Sequence, residues 1–484
     1  MLRTAQESLD RGVFREVDVL TRGVVCYWLV ASSFVFGVLV LWSEESWYLP
    51  YFVPAAYAAM LFSLATSVRA WRDPFNPLCL VLGVGFIRFF LPGILLLNGF
   101  EPAEGVRRFF QLLQLSDSDW VWGHALSLLG VLGIVLGWLG TQPKATHGVA
   151  LKFHLPGAVR YASCAGMLVG FLALVAFTLM NASVGVIMSG GFREATIQEG
   201  TGKYFFLTYL LIAGSVLISS DLLTRGRKWL SLLPVIVATI LYWVLGGRGR
   251  AMFSMAVGLL MLWYFTAEKR SWRKLSIRPV SILVAPFIAI IVVWLSYVGS
   301  IYRGGLGSRA FTEGLSLVGL WDYLQGSIFT DLGQLHSLAG AIAIGPGVLN
   351  GHTFYGSLTW PLSTFLPIPG KSAGVFIVET LVGFGDGEKW GVNASLIGDA
   401  YLNFGLMAVV LLMVLFGALL KILYLKFRYG SLHVAIYGIA LFSALQLCFL
   451  SIDKWPQALV TLAFTYFVIL VGKTIFQVQR ASRG

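Results

Sequence analysis

Residues 229–266 read WLSLLPVIVATILYWVLGGRGRAMFSMAVGLLMLWYFT, and their only charges are Arg248 and Arg250 in the turn Gly246-Gly247-Arg248-Gly249-Arg250. A helix that crosses a bilayer takes about 20 apolar residues, within a range of about 17–25. The stretch therefore divides into two short spans, 229–246 and 250–267, joined by a tiny glycine-rich turn. Spans this short barely cross, so the turn sits at or below the bilayer surface. Non-helical backbone survives at that depth only where it lines a water-filled cavity or is buried in protein. Composition says the same of the whole chain: of 484 residues, 57% are hydrophobic and only 12% are charged. Mean hydropathy is +0.79. A soluble domain of that length could not hide so much apolar surface, whereas a bilayer can. The chain is an all-α integral membrane protein.

Working outward, further apolar runs fall at 22–42, 48–68, 76–97, 120–140, 157–180, 204–223, 279–299, 400–420, 432–450 and 457–477. With the two central spans these make about twelve transmembrane helices. Their connections sort by charge. Segments 69–75, 141–156, 224–228, 268–278 and 421–431 are basic, and they alternate with acidic or mixed segments at 43–47, 98–119, 181–203 and 300–399. Such alternation places both termini in the cytoplasm. It also accounts for most of the formal charge of +12, which is no nucleic-acid signature. The expected organisation is a cytoplasmic amphipathic leader over 1–21, helices one to nine over 22–299, and a large external loop over 300–399. Helices ten to twelve over 400–477 and a cytoplasmic tail over 478–484 complete it. The leader mixes both charge signs and its first apolar run is too long for a cleaved signal. Cys26, Cys79, Cys164 and Cys448 all lie in apolar runs without CxxC spacing, so neither a disulfide framework nor a zinc site is expected.

The same count puts Arg248 and Arg250 on the outer face, where positive charge is normally avoided. Arg303 and Arg309 form a second Gly/Arg cluster on that side, in Arg303-Gly304-Gly305-Leu306-Gly307-Ser308-Arg309. Arg88 lies mid-span, where a charge costs roughly 2.5–3.5 kcal/mol and either pairs with an acid or faces a cavity. Guanidinium matches phosphate oxygens in bidentate fashion, and glycine lets backbone approach closely. Together these arginines suggest a clamp for a pyrophosphate; anchoring of lipid headgroups is the plainer reading.

The loop 300–399 is too aromatic for disorder and reads as a folded cap, with helices that lie on or dip into the membrane around 314–344. Trp360, Tyr355 and its other rings suit the apolar faces of sugars, and its carboxylates suit their hydroxyls. An interfacial aromatic belt would have the same composition. Candidate acids and bases are Asp331, His336, His352 and Asp399. Asp331 and His336 stand five residues apart, too far for one helix face, and Asp399 opens the tenth span, where a carboxylate also suits a helix N-terminus. The six histidines are dispersed with no HxxxH or HExxH, so no metal and no cofactor are expected. Asp117-Ser118-Asp119 has the Asp-x-Asp form of some nucleotide-sugar sites, yet before a span it reads better as a helix cap.

Two stretches carry a resemblance. They are Asn350-Gly351-His352-Thr353-Phe354-Tyr355-Gly356-Ser357-Leu358 through Leu366-Pro367-Ile368-Pro369, and Asn393-Ala394-Ser395-Leu396-Ile397-Gly398-Asp399-Ala400-Tyr401-Leu402-Asn403-Phe404-Gly405. In order and content they resemble the Wzy-type oligosaccharide repeat-unit polymerases of O-antigen and exopolysaccharide synthesis. The order fits from Gly246 to about Gly417, and the first two hundred residues match in topology alone. The chain departs from the common pattern with Asp399 in place of a frequent Glu, and with Pro369-Gly370-Lys371 where an Arg often follows the proline.

The resemblance implies a GT-C-like membrane glycosyltransferase acting on undecaprenyl-pyrophosphate-linked oligosaccharides at the outer face of the bacterial cytoplasmic membrane. It implies no nucleic-acid partner, contact with membrane lipids, and a chain-length regulator and flippase of the same pathway. Substrate-binding candidates are then Arg88, Arg248, Arg250, Arg303, Arg309, Lys371, Tyr355, Trp360, Tyr401 and Asn403, with no metal ligand. An O-antigen ligase or other polyprenyl-phosphate-dependent transferase would use the same parts. A lipid-linked glycan transporter would show inverted repeats, and none is visible.

Overall fold

The computed structural model describes residues 75–97, 104–141, 157–181, 202–244, 248–268, 294, 297–298, 301, 316–329, 334–359, 372–383, 392–427, 431–450, 452 and 455–482. The leader, the runs 22–42 and 48–68 and nearly all of 279–299 lie outside them, as do Asp331, Arg303, Arg309, Trp360 and Lys371.

Every described element is a helix. The apolar run 76–97 is α1 (Pro77–Gly85), a π-turn (Phe86–Phe90) and α2 (Leu91–Leu97); then follow α3 (Glu104–Leu113), α4 (Asp117–Gly140) and α5 (Gly157–Asn181). Next come α6 (Gly202–Leu207), α7 (Tyr209–Thr224), α8 (Lys228–Val244), α9 (Arg248–Glu268) and α10 (Leu317–Phe329). The later part gives α11 (Leu335–Ile344), α12 (His352–Thr359), α13 (Ala373–Val382) and α14 (Ser395–Phe404). It closes with α15 (Leu406–Phe427), α16 (Ser431–Phe449) and α17 (Trp455–Ala481). Among the described residues, four helices are long and apolar enough to cross a membrane: Asp117–Gly140, Gly157–Asn181, Leu406–Leu425 and Gln457–Gln479.

The chain divides into two compact units. The first draws on residues up to Lys144, from Ser327 to Ile422 and from Leu447 to Asp453. Its centre is α4, whose apolar window is 83% buried, against 28% in α15. A helix apolar all round belongs in a protein core or in a bilayer, and the glycines of α4 explain why neighbouring helices enclose it. Gly123, Gly130 and Gly137 recur every seventh residue and so share a face. A side chain at Gly123 would strike the backbone of Ala339 in α11, one at Gly130 would strike Ile397 in α14, and one at Gly137 would strike the carbonyl of Val414 in α15. Gly417 returns the last contact against Ile134, so two backbones meet at paired glycines. Ser116 and Asp119 close a capping box at the start of α4, as the cap reading of that Asp-x-Asp expects.

The second unit draws on Ala145–Gly326, Leu423–Gln446 and Lys454–Gly484. There α7 packs against α5, α8 and α17, with Gly170 pressed on the backbone of Leu211 and Gly214 on that of Ser163 and Met167. The run 204–223 breaks at Thr208 between α6 and α7, and the Tyr242 hydroxyl donates to the Thr208 carbonyl.

The outward faces settle the solvent. Leu168, Leu172, Val175 and Leu179 on α5, and Leu230, Leu233, Val237 and Ile240 on α8, lie bare at helical spacing; Leu411, Leu415 and Leu419 repeat the pattern on α15 in the first unit. Stripes of bulky aliphatics uncovered by protein are untenable in water and ordinary in lipid. The protein is a multi-pass membrane protein.

Residues 335–341 of α11, in the stretch expected to lie on or dip into the membrane, are buried in the first unit against α4. One expectation is corrected. The tenth span does not open at Asp399: the helix breaks at Gly405 (φ 77°, ψ −169°), leaving Asp399 inside the separate ten-residue helix α14.

Candidate functional site

The site grows from the break at Gly405. A helix that stops leaves its last carbonyls without partners of its own. For α14 they are met from outside: Tyr401 O accepts from Gly347 N (3.0 Å) and Leu402 O from Leu349 N (2.8 Å). The loop that supplies these donors turns sharply, with positive φ at Gly345, Gly347, Asn350 and Gly351. Glycine reaches that region without strain and asparagine tolerates it.

The loop leads straight into α12, and here the second problem arises. Gly351 precedes α12 and has no side chain to cap its first turn. Asn403 supplies the missing oxygen from α14: its Oδ1 accepts from Thr353 N (3.3 Å), and its Nδ2 donates to Thr353 Oγ1 (2.5 Å). That Nδ2 also donates to Asp399 O at 2.7 Å. Asn403 and Thr353 are both buried. Phe354 and Phe404 add an edge-on ring contact at 5.2 Å. The described parts of the two resemblance-bearing stretches, fifty residues apart in sequence, are therefore one structural piece.

What that piece presents outward is short. With Thr353 turned in, His352 and Tyr355 are exposed, the latter by 61%. They stand three residues apart and hence on one helix face.

Asp399 points the other way and is fully buried. Its Oδ2 accepts from Ile452 N at 2.8 Å, while Ser395 N at the head of α14 donates to Leu450 O at 2.9 Å. Arg88 reaches the same connector, with Nη1 3.3 Å from Phe449 O. It does so from the π-turn, whose widened winding leaves the Arg88 carbonyl to accept from Gln334 N at 2.8 Å. The mid-span arginine thus binds a backbone carbonyl. Thr353 and Ser395 stood in the two quoted stretches without being singled out, and the connector carbonyls were invisible as site elements in sequence. The nearest signal was the polar interruption Ser451-Ile452-Asp453-Lys454 between the last two apolar runs.

The structure brings His352, Tyr355, Asp399, Tyr401 and Asn403 into one assembly. His336, buried in α11 of the same unit, lies with its ring 6.0 Å from that of Phe110. Arg248 and Arg250 belong to the other unit and begin α9, so the arginines occupy a helix's first turn.

Residues 341–454 match the family model described as "Putative O-antigen polymerase". The match contains both stretches on which the resemblance to Wzy-type polymerases rested and bears that resemblance out. No curated protein and no solved structure matches the chain.

Proposed function

We propose that this protein polymerises a cell-surface polysaccharide, transferring a growing glycan from undecaprenyl pyrophosphate to the next lipid-linked repeat unit at the outer face of the bacterial cytoplasmic membrane. One observation carries the reading: the region matched to the polymerase family is the region whose two motifs fold together and turn His352 and Tyr355 outward.

In the transfer, an acceptor sugar hydroxyl attacks the anomeric carbon of the donor glycan. The new glycosidic bond forms as the bond to pyrophosphate breaks, and polyprenyl pyrophosphate leaves. A base must come within hydrogen-bond reach of the hydroxyl proton. His352 is accessible and fills that role, whereas Asp399 and His336 are enclosed; Asp331 is the alternative carboxylate on the same loop. Tyr355, with Trp360 and Tyr401, offers rings to the apolar faces of the glycan. Arg248, Arg250, Arg303, Arg309 and Lys371 neutralise the departing pyrophosphate without a metal. The helix supports this for two of them. A cation in a first turn opposes the helix dipole by roughly 0.3–1 kcal/mol, so Arg248 and Arg250 suit a position facing an anion. A chain-length regulator and a flippase would act beside it.

The test uses purified protein in nanodiscs with undecaprenyl-pyrophosphate-linked repeat units. Wild type yields a ladder of polymer that survives a chelator. His352→Gln binds the repeat unit yet elongates slower by about 100-fold or more, the usual worth of a general base. A wild-type ladder from His352→Gln removes the base. Transfer to a lipid A core in place of repeat units would make the protein a ligase.

A further inference from the structure

The side chain of Asn403 is spent entirely inside the protein, on two groups of Thr353 and on the Asp399 carbonyl. It replaces the cap that Gly351 cannot give to α12, so the first turn of that helix, which carries His352, is fixed by a residue of α14. The helix α14 is fixed in turn. Ser395 N and Asp399 Oδ2 grip Leu450 O and Ile452 N, one turn apart on α14, and Arg88 holds the adjoining Phe449 O. A continuous line of hydrogen bonds runs from the connector through Asp399 and Asn403 to Thr353.

We propose that Asn403 is the positioning residue of this site, setting His352 through Thr353, and that Asp399 anchors the helix from which Asn403 acts. Neither touches substrate. The inference rests on His352 being the base, and the experiment separates the two. Thr353→Val removes only the hydroxyl that Asn403 grips, while Thr353→Ser keeps it. Thr353→Val should lower kcat about tenfold, the worth of one buried hydrogen bond, with KM for the acceptor unchanged, and Thr353→Ser should restore the rate. Asn403→Ala combined with His352→Gln should be no slower than His352→Gln alone, because residues acting as one unit do not add. Hydrogen exchange supplies a readout independent of activity. In Asn403→Ala the amides of residues 353–355 should exchange about tenfold faster or more, while those late in α14 keep their protection. Unchanged exchange at 353–355, or multiplicative losses in the double variant, overturns the positioning role. Wild-type elongation by His352→Gln would overturn the base alone, leaving exchange to decide Asn403. Should Asn403→Ala fail to insert, Thr353→Val carries the exchange arm.

Discussion

Asp399 shows what a single position can hide. In sequence it is an acid at the mouth of a late span, a natural candidate for catalysis. In the structure its Oδ2 receives a backbone N–H from Ile452 in a fully buried setting. An asparagine there still offers a carbonyl oxygen to that N–H, whereas an alanine leaves the buried donor unmet. Asp399→Asn should therefore keep elongation within about threefold of wild type, and Asp399→Ala should lose roughly 1–3 kcal/mol of stability. Thermal melting in detergent and the polymer ladder check both. A catalytic carboxylate would behave otherwise, with Asp399→Asn folded and inactive. The residues of the site were legible as residue types, since His352, Asp399 and Asn403 all stood in the motifs. Their roles were not, because Asn403 caps a helix fifty positions away and no local spacing records that.

At the scale of elements, hydropathy located the apolar helices among the described residues and missed their interruptions. The runs 76–97, 204–223 and 400–420 read as unbroken, yet they carry a π-turn, a break at Thr208 and a break at Gly405. Apolar content measures burial in lipid or protein and is blind to where backbone hydrogen bonds change partner. Each interruption is satisfied from elsewhere in its unit: Gln334 N at Arg88 O, the Tyr242 hydroxyl at Thr208 O, and the glycine loop at Tyr401 O and Leu402 O. Gly405 has a backbone conformation that other residues reach only under strain. Gly405→Ala should thus cost roughly 1–3 kcal/mol and slow elongation, because the break it enforces aligns α14 with the loop before α12. Gly83→Ala, where nothing lies within 4 Å of the added methyl, should melt with wild type. Equal melting of the two variants would mean that the break is not needed.

At the scale of the whole molecule, the remaining argument concerns which side of the membrane the arginines face. Five basic connections alternate with acidic or mixed ones, and the topology proposed from that alternation would have 268–278 inside and the head of α9 outside. If the assignment were reversed, Arg248 and Arg250 would be ordinary cytoplasmic anchors and the leaving-group clamp would lose its reason. The helix sharpens the contrast, since α9 runs from Arg248 to Glu268 and its two ends must lie toward opposite faces if it crosses. A background lacking Cys26, Cys79, Cys164 and Cys448 allows single cysteines to report position. A membrane-impermeant maleimide added to intact spheroplasts should label Arg248→Cys, while Lys269→Cys and Arg273→Cys should react only after permeabilisation. Labelling of Lys269→Cys in intact cells with protection of Arg248→Cys would move the arginines inside and end the pyrophosphate role proposed for them. The expected pattern leaves two cations at the head of a helix, on the face where the proposed transfer takes place, with an anion as the partner that makes their placement favourable.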